Sequence, residues 1–166
     1  MKNDKDTIRR FINALSGDDS QGKHYLPNIQ RKFVWKEEQI ERLFDSILRE
    51  YPIGTLLIWN TTEPVRKREF IKNYRPKLNH RDFIVPDAPG PKKLVLDGQQ
   101  RLQSLYIGLK GTYEGKLLSF NVYSGDKRDP EDMRFQFEFK APADIEFPWV
   151  RLSELVNTDK KVIELC

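Results

Sequence analysis

The stretch Leu94 to Leu105, LVLDGQQRLQSL, constrains this chain more than any other. Leu94-Val95-Leu96 is a short apolar run that reads as a buried strand, and it stops at Asp97-Gly98, a turn signal. Leu102, Leu105, Tyr106 and Leu109 then recur at helical spacing, which predicts a helix directly after the turn. The polar group Asp97-Gly98-Gln99-Gln100-Arg101 therefore sits at a strand-to-helix junction. Such a junction offers unsatisfied backbone N–H groups and the positive end of a helix dipole, which suits a phosphate. Gly98 lets a ligand approach the backbone, and Arg101 offers a planar, bidentate grip. The same residues also spell a capping box, with Asp97 as N-cap and Gln100 at N3. On their chemistry alone, both readings stand.

The rest of the chain supports an α+β fold with a small mixed sheet and flanking helices. Asp6 or Thr7 can cap a first helix whose apolar face is Ile8, Phe11, Ile12 and Leu15. Ser16 to Gly22 reads as a polar loop, and His24 to Pro27 as an extended segment, because a residue before proline is pushed out of the helical region. Asn28 to Trp35, NIQRKFVW, lacks periodicity, as functional loops often do. Lys36 to Glu50 predicts a helix, with Ile40, Leu43, Phe44, Ile47 and Leu48 as its stripe and Glu37 and Glu38 at its N-terminus. Thr55 to Trp59 predicts a buried strand. Asn60 to Lys93 reads as a long connector, expected to be an insertion of about residues 61–92. Lys116 to Tyr123 and Met133 to Lys140 predict an antiparallel pair, and Trp149 to Leu155 a short strand or a helix entry. Residues 1–155 are thus expected to form the domain. Val162, Ile163 and Leu165 in 156–166 have nothing after them to bury against, so that tail is expected to begin a further region.

Charge narrows the partners. The 166 residues carry a net charge of +4. Arg66 to Arg81, RKREFIKNYRPKLNHR, holds seven Lys or Arg and one acid, so the rest of the chain sums to −2. This basic segment, with Arg66, Lys67, Arg68, Lys72 and Arg75 interleaved with Phe70 and Tyr74, is a candidate for DNA phosphate. A solvated loop is the plain alternative. Cys166 is the single cysteine, which argues against a disulfide framework and for a reducing cytoplasm. MKNDKDTIRRF has no apolar core of a secretory signal, and no apolar run is long enough to span a bilayer. His24 and His80 lack zinc-type spacing.

Taken together, LPNIQRKFVW, the helix ending in YPIGTLLIW, and LVLDGQQRLQSL resemble the N-terminal domain of GmrSD-type modification-dependent restriction proteins, whose hallmark is DGQQR after a strand. That family's proline, Gln-Arg, aromatic and Trp are matched by Pro27, Gln30, Arg31, Phe33 and Trp35. The hallmark is matched by Asp97, Gly98, Gln99, Gln100 and Arg101. The resemblance covers roughly Ile8 to Leu155. It departs from the family in the long basic insertion before the hallmark strand.

The resemblance implies a ParB/sulfiredoxin-like nucleotide-binding domain of a phage-defence system. It implies binding and hydrolysis of a nucleoside triphosphate, GTP or another, with Mg²⁺. The implied partners are DNA, modified phage DNA included, a nuclease domain or partner chain, and a homo-oligomer. No membrane is implied. Two lone histidines cannot supply an HNH nuclease site, so cleavage is not expected of this chain. Sulfiredoxin chemistry needs a cysteine in the motif, which this stretch lacks, and ParB's arginine-rich box is not matched.

Within this frame Arg31 and Arg101 are the expected phosphate contacts, with Gly98 and Gln99 beside them. Gln99 and Gln100 can orient a water, as a glutamine does in GTPases, or hold phosphate oxygens, with Gln100 the expected catalytic residue beside Asp97 and Gln99 a nucleotide contact. Asp97 can hold Mg²⁺ or position the water, or only cap its helix. Gln30 joins by its place beside Arg31, and Trp35 can stack on a base or belong to the core. Glu138 and Lys140, with Asp126, Asp129 and Asp132 upstream, mimic a fragment of a PD-(D/E)xK nuclease, a pattern that solvated strand faces also produce. The alternative to the nucleotide reading is a non-hydrolysing DNA-binding or protein-interaction module of the same fold.

Overall fold

A computed structural model describes residues 7–17, 23–87, 89–126 and 133–157. Asp6, the loop residues 18–22, Asp129, Asp132 and the tail 158–166 lie outside the described residues.

In chain order the helices are α1 (Ile8–Ser16), α2 (Glu37–Leu48), α3 (Gln99–Lys110) and α4 (Leu152–Asn157). The strands are β1 (His24–Pro27), β2 (Leu57–Thr61), β3 (Lys67–Arg68), β4 (Asn73–Tyr74), β5 (Ile84–Val85), β6 (Lys92–Asp97), β7 (Thr112–Tyr113), β8 (Leu117–Asn121), β9 (Phe137–Lys140) and β10 (Trp149–Arg151). The expected mixture of helices and a small mixed sheet is present. Two compact units divide these elements. One takes the described residues up to Val34, then Gly54–Ile71 and Lys77–Tyr106; the other takes Trp35–Ile53, Lys72–Pro76 and the described residues from Ile107.

The first unit holds a five-stranded sheet in the order β2-β6-β1-β3-β5. Thr7 caps α1 by accepting a hydrogen bond from the Arg10 N–H at 3.3 Å, and the Phe11 ring meets the His24 ring edge-on. β1 and β6 are parallel neighbours, with Tyr25 opposite Leu94. β2 and β3 run antiparallel to them. This topology positions the site. The segments leaving β1 and β6, and those entering β2 and β3, all meet at one end of the sheet. Both sequence motifs therefore emerge side by side from adjacent parallel strands.

Two expectations change here. β2 is an edge strand with exposed Leu57 and Trp59 rather than a buried one, because its single neighbour, β6, leaves one side open. The supposed connector supplies β3 and β5 to the sheet, Lys67 pairing with Val85 and Arg68 with Ile84. A two-residue strand is too short to show a period of two, which is why this segment reads as a loop.

The second unit holds a three-stranded antiparallel sheet, β10-β8-β9, and a two-stranded pair, β4-β7. The predicted pairing of β8 with β9 is present, with Leu118 opposite Phe139. Helix α2 buries Ile40, Leu43 and Phe44, and the Phe44 ring lies 5.6 Å from that of Phe137. The segment from Trp149 is both of the things expected, β10 followed by α4.

Candidate functional site

The site is built at the end of β6. Gly98 follows the strand with φ of 81°, a conformation that L side chains rarely adopt. A Cβ there would also run into the Leu56 side chain. The first helical bond of α3 runs from the Leu102 N–H to the Gly98 carbonyl at 3.0 Å, so the amides of the first turn have no acceptor within the helix. Gly98 thus occupies the capping position that the sequence offered to Asp97. The Asp97 carboxylate ends β6 instead. It is 73% exposed and lies 3.9 Å from Arg101 Nη2.

Four polar side chains of this unit are spent on main-chain groups. Gln100, 7% exposed, accepts from the Val34 N–H at 3.1 Å and donates to the Lys32 carbonyl at 3.0 Å. Gln30 Nε2 donates to the Leu96 carbonyl at 2.7 Å. Arg68 Nη2 donates to the carbonyls of Gln30 and Arg31 at 3.2 and 2.9 Å. Gln103 accepts from the Ile71 N–H and donates to the Ile71 carbonyl. The loop after β1 is therefore bonded to both α3 and β3, and its path is set by directional bonds.

Arg101 does similar work on the other side of the turn. Its Nη2 donates to the Thr55 carbonyl at 2.8 Å, and its guanidinium lies against Gly54, where a Cβ would collide with it. The glycine of YPIGT is explained by that contact and by its φ of 87°.

Arg31 and Gln99 differ from these neighbours. Neither side chain makes a hydrogen bond or ion pair with a described residue, and Arg31 is exposed. Both line a hollow with Gln100, Gln103 and Arg68 over an apolar floor that includes Phe33. Its open space is about 10 Å³, roughly that of one water. The Gln30 Oε1 is buried and has no hydrogen-bond partner among the described residues. Burial pushes the Arg68 pKa down from its ordinary value, but a guanidinium stays charged at neutral pH. The hollow thus combines two cations with several amide groups.

Of the expected site residues, Gln30, Arg31, Gly98, Gln99, Gln100 and Arg101 come together in the first unit, with Asp97 at the strand end. Trp35 belongs to the second unit, half-buried, its carbonyl accepting from the Tyr113 hydroxyl at 3.4 Å. The basic segment splits by burial. Arg66, Lys72 and Arg75 are exposed. Lys67 and Arg68 are each 4% exposed, so a DNA backbone cannot reach them as they stand. Lys67 bonds Asp87, which also binds Lys92, and those two lysines hold the Asp87 carboxyl below its usual range.

Sequence reading missed Gln103 and the inward role of Arg68. Gln103 had a signal, since it follows Gln99 and Gln100 at helical spacing and sits between buried Leu102 and Ser104. Arg68 had none, being one cation in a basic run.

The nuclease-like pattern resolves into an ordinary strand face. Lys140 Nζ pairs with Glu138 at 3.3 Å and lies 4.6 Å from the centre of the Trp149 ring. Among the described residues no group of three or more His, Cys, Asp or Glu is placed to hold a metal ion. No helix among them is long and apolar enough to cross a membrane.

Over 91 residues the chain is 38% identical to a protein of Methanocaldococcus jannaschii described only as uncharacterised. That match covers 54% of this chain and 15% of the archaeal protein, so the chain spans a small part of that relative. The family model of the GmrSD restriction endonuclease N-terminal domain matches residues 11–163. The chain belongs to that family, the N-terminal domains of GmrSD restriction endonucleases.

Proposed function

We propose that this domain binds a nucleoside triphosphate, GTP or another, and hydrolyses it as the regulatory part of a DNA restriction system directed against phage. In this reading the fold is of the ParB/sulfiredoxin-like nucleotide-binding type. DNA, modified phage DNA included, and a nuclease domain or partner chain are its partners.

The observation that carries the reading is Arg31. Its guanidinium is exposed and uncommitted among the described residues, on a loop bonded to the first turn of α3. It is held out beside the first turn of α3, whose N–H groups have no acceptor within the helix, and a phosphate placed there would meet both. A phosphate exceeds the space of one water, so the Arg31 side chain swings outward to admit it.

Roles follow from what each side chain has left to offer. Gln99 is the glutamine available to orient a water, because both ends of the Gln100 amide hold the loop. Arg101 adds positive charge at the turn while it fixes Thr55. A single exposed carboxylate, Asp97, fits Mg²⁺ held mostly by phosphate oxygens and water rather than by a protein cage. When bound, the ion would neutralise charge on the phosphates. Asp97 is also the one group at the turn that can accept a proton from water.

The test is phosphate release with Mg²⁺ and each nucleoside triphosphate, beside calorimetric binding. Arg31→Ala should abolish both at concentrations where the unaltered chain saturates. Absence of binding by the unaltered chain to every triphosphate would sink the reading.

The second reading, a DNA-binding or interaction module without hydrolysis, draws on the exposure of Arg66, Lys72 and Arg75. Affinity for DNA should then fall steeply with salt, and neutralising those three should flatten the slope.

A further inference from the structure

We propose that Arg68 is a positioning residue for Arg31: it holds the phosphate-binding loop in shape and does not itself touch the ligand. The inference rests on the nucleotide reading above and goes beyond it by assigning a role to a residue of the basic segment.

The loop from Gln30 to Val34 has few ways to hold itself, since it lacks regular structure. Its main-chain groups are bonded by side chains from outside. Gln100 takes the Lys32 carbonyl and the Val34 N–H. Arg68 takes the Gln30 and Arg31 carbonyls with one nitrogen. The carbonyl of Arg31 itself is thus fixed by Arg68 at 2.9 Å, and that bond sets where the Arg31 side chain leaves the backbone.

Three features favour this role over direct contact or plain filling. Arg68 is buried, in β3 opposite Leu26, so its backbone is fixed by the sheet on both sides. One guanidinium nitrogen spans two consecutive carbonyls, its two N–H bonds held in the plane of the group, whereas an ammonium on a flexible stem is less pre-organised. Burying a charge is costly unless it is bonded, and a hydrocarbon would fill the same space without that cost. What the charge supplies here is direction. A displacement of about 1 Å in a positioned group can cost about a hundredfold in rate.

The experiment uses the whole chain with inorganic tripolyphosphate and with GTP as probes, measuring affinity by calorimetry and folding by differential scanning calorimetry. Arg68→Met should bind both probes about tenfold or more weakly, the scale of one charge-assisted bond lost at Arg31. Arg68→Lys should fall between, since an ammonium can still donate to a carbonyl. If Arg68→Met does not fold, Arg68→Lys decides, with an expected loss of about threefold to fivefold. Affinities of the folded variants within twofold of the unaltered chain, with only the melting temperature lowered, would make Arg68 structural and overturn the inference. Binding by the unaltered chain together with that result leaves the nucleotide reading standing. Failure of the unaltered chain to bind either probe would instead overturn the nucleotide reading and this inference with it.

Discussion

The two units of this chain both bury apolar side chains, but their most prominent contacts differ. In the first, amide and guanidinium side chains bond main-chain groups: Gln100 to the loop after β1, Gln103 to Ile71, Arg101 to Thr55 and Arg68 to Gln30 and Arg31. In the second, rings meet rings. Phe120 lies 5.1 Å from Phe137, Phe44 5.6 Å from Phe137, and Tyr113 5.5 Å from Phe139. Aromatic burial contributes much energy with little direction, while a hydrogen bond contributes less and specifies an angle. A region that spends buried polar groups on the shape of a loop is organised around what the loop presents, and here that is Arg31.

This contrast can be broken, beginning with the largest effect. Phe137→Ala removes a ring shared by Phe44 and Phe120 and should cost about 3–5 kcal/mol, read by urea denaturation. A loss below 1 kcal/mol would show that the rings do not carry the second unit. Gln103→Leu strips both partners from the buried Ile71 peptide and should cost about 1–3 kcal/mol. Equal stability would remove the claim that directional bonds organise the first unit. Arg31→Ala should change stability by less than about 0.5 kcal/mol, as exposed positions do, while tripolyphosphate binding is lost. A large drop in melting temperature would contradict the picture of an uncommitted side chain.

The smallest effect concerns pH. Burial raises the Glu41 pKa above the ordinary 4.5, against a smaller opposite effect of the Phe139 N–H it accepts. The folded state therefore holds this proton more tightly than the unfolded chain does. Its contribution to stability is fully present below 4.5 and is lost as pH rises through the folded value. Glu41→Gln keeps an acceptor for Phe139 and should lose less stability than the parent between pH 4.5 and neutrality. An identical pH dependence would show that Glu41 is not the group responsible.

Much of this was legible in the residues. The period of α2, the alternation of Phe135, Phe137 and Phe139, the cap at Thr7 and the strand-turn-helix at Asp97-Gly98 are local patterns, and local patterns survive in sequence. Even where the reading erred, the error was local in kind. Thr55 to Trp59 reads as buried because Leu56, Leu57 and Trp59 are apolar, and apolarity does not say whether a strand has one neighbour or two. Asp97 suits a cap by its type, yet the chain leaves β6 one residue later, with Gly98 in the left-handed turn.

The residues alone specify the longer helices and strands, the glycine at the end of the central strand, and the two separated motifs that carry the polar chemistry. How those residues divide their labour depends on contacts between segments far apart in the chain. Parallel pairing of β1 with β6 brings Arg31 and the Gln99-Gln100-Arg101 turn to one end of the sheet, across an interval of many residues that no short-range pattern spans. Antiparallel pairing of β3 with β1 and β5 accompanies the burial of Arg68, whereas Arg66, ahead of the strand, stays in solvent, although both are basic residues of one run. Residue type sets what a side chain can bond, whereas burial and the main-chain groups within reach set what it does bond.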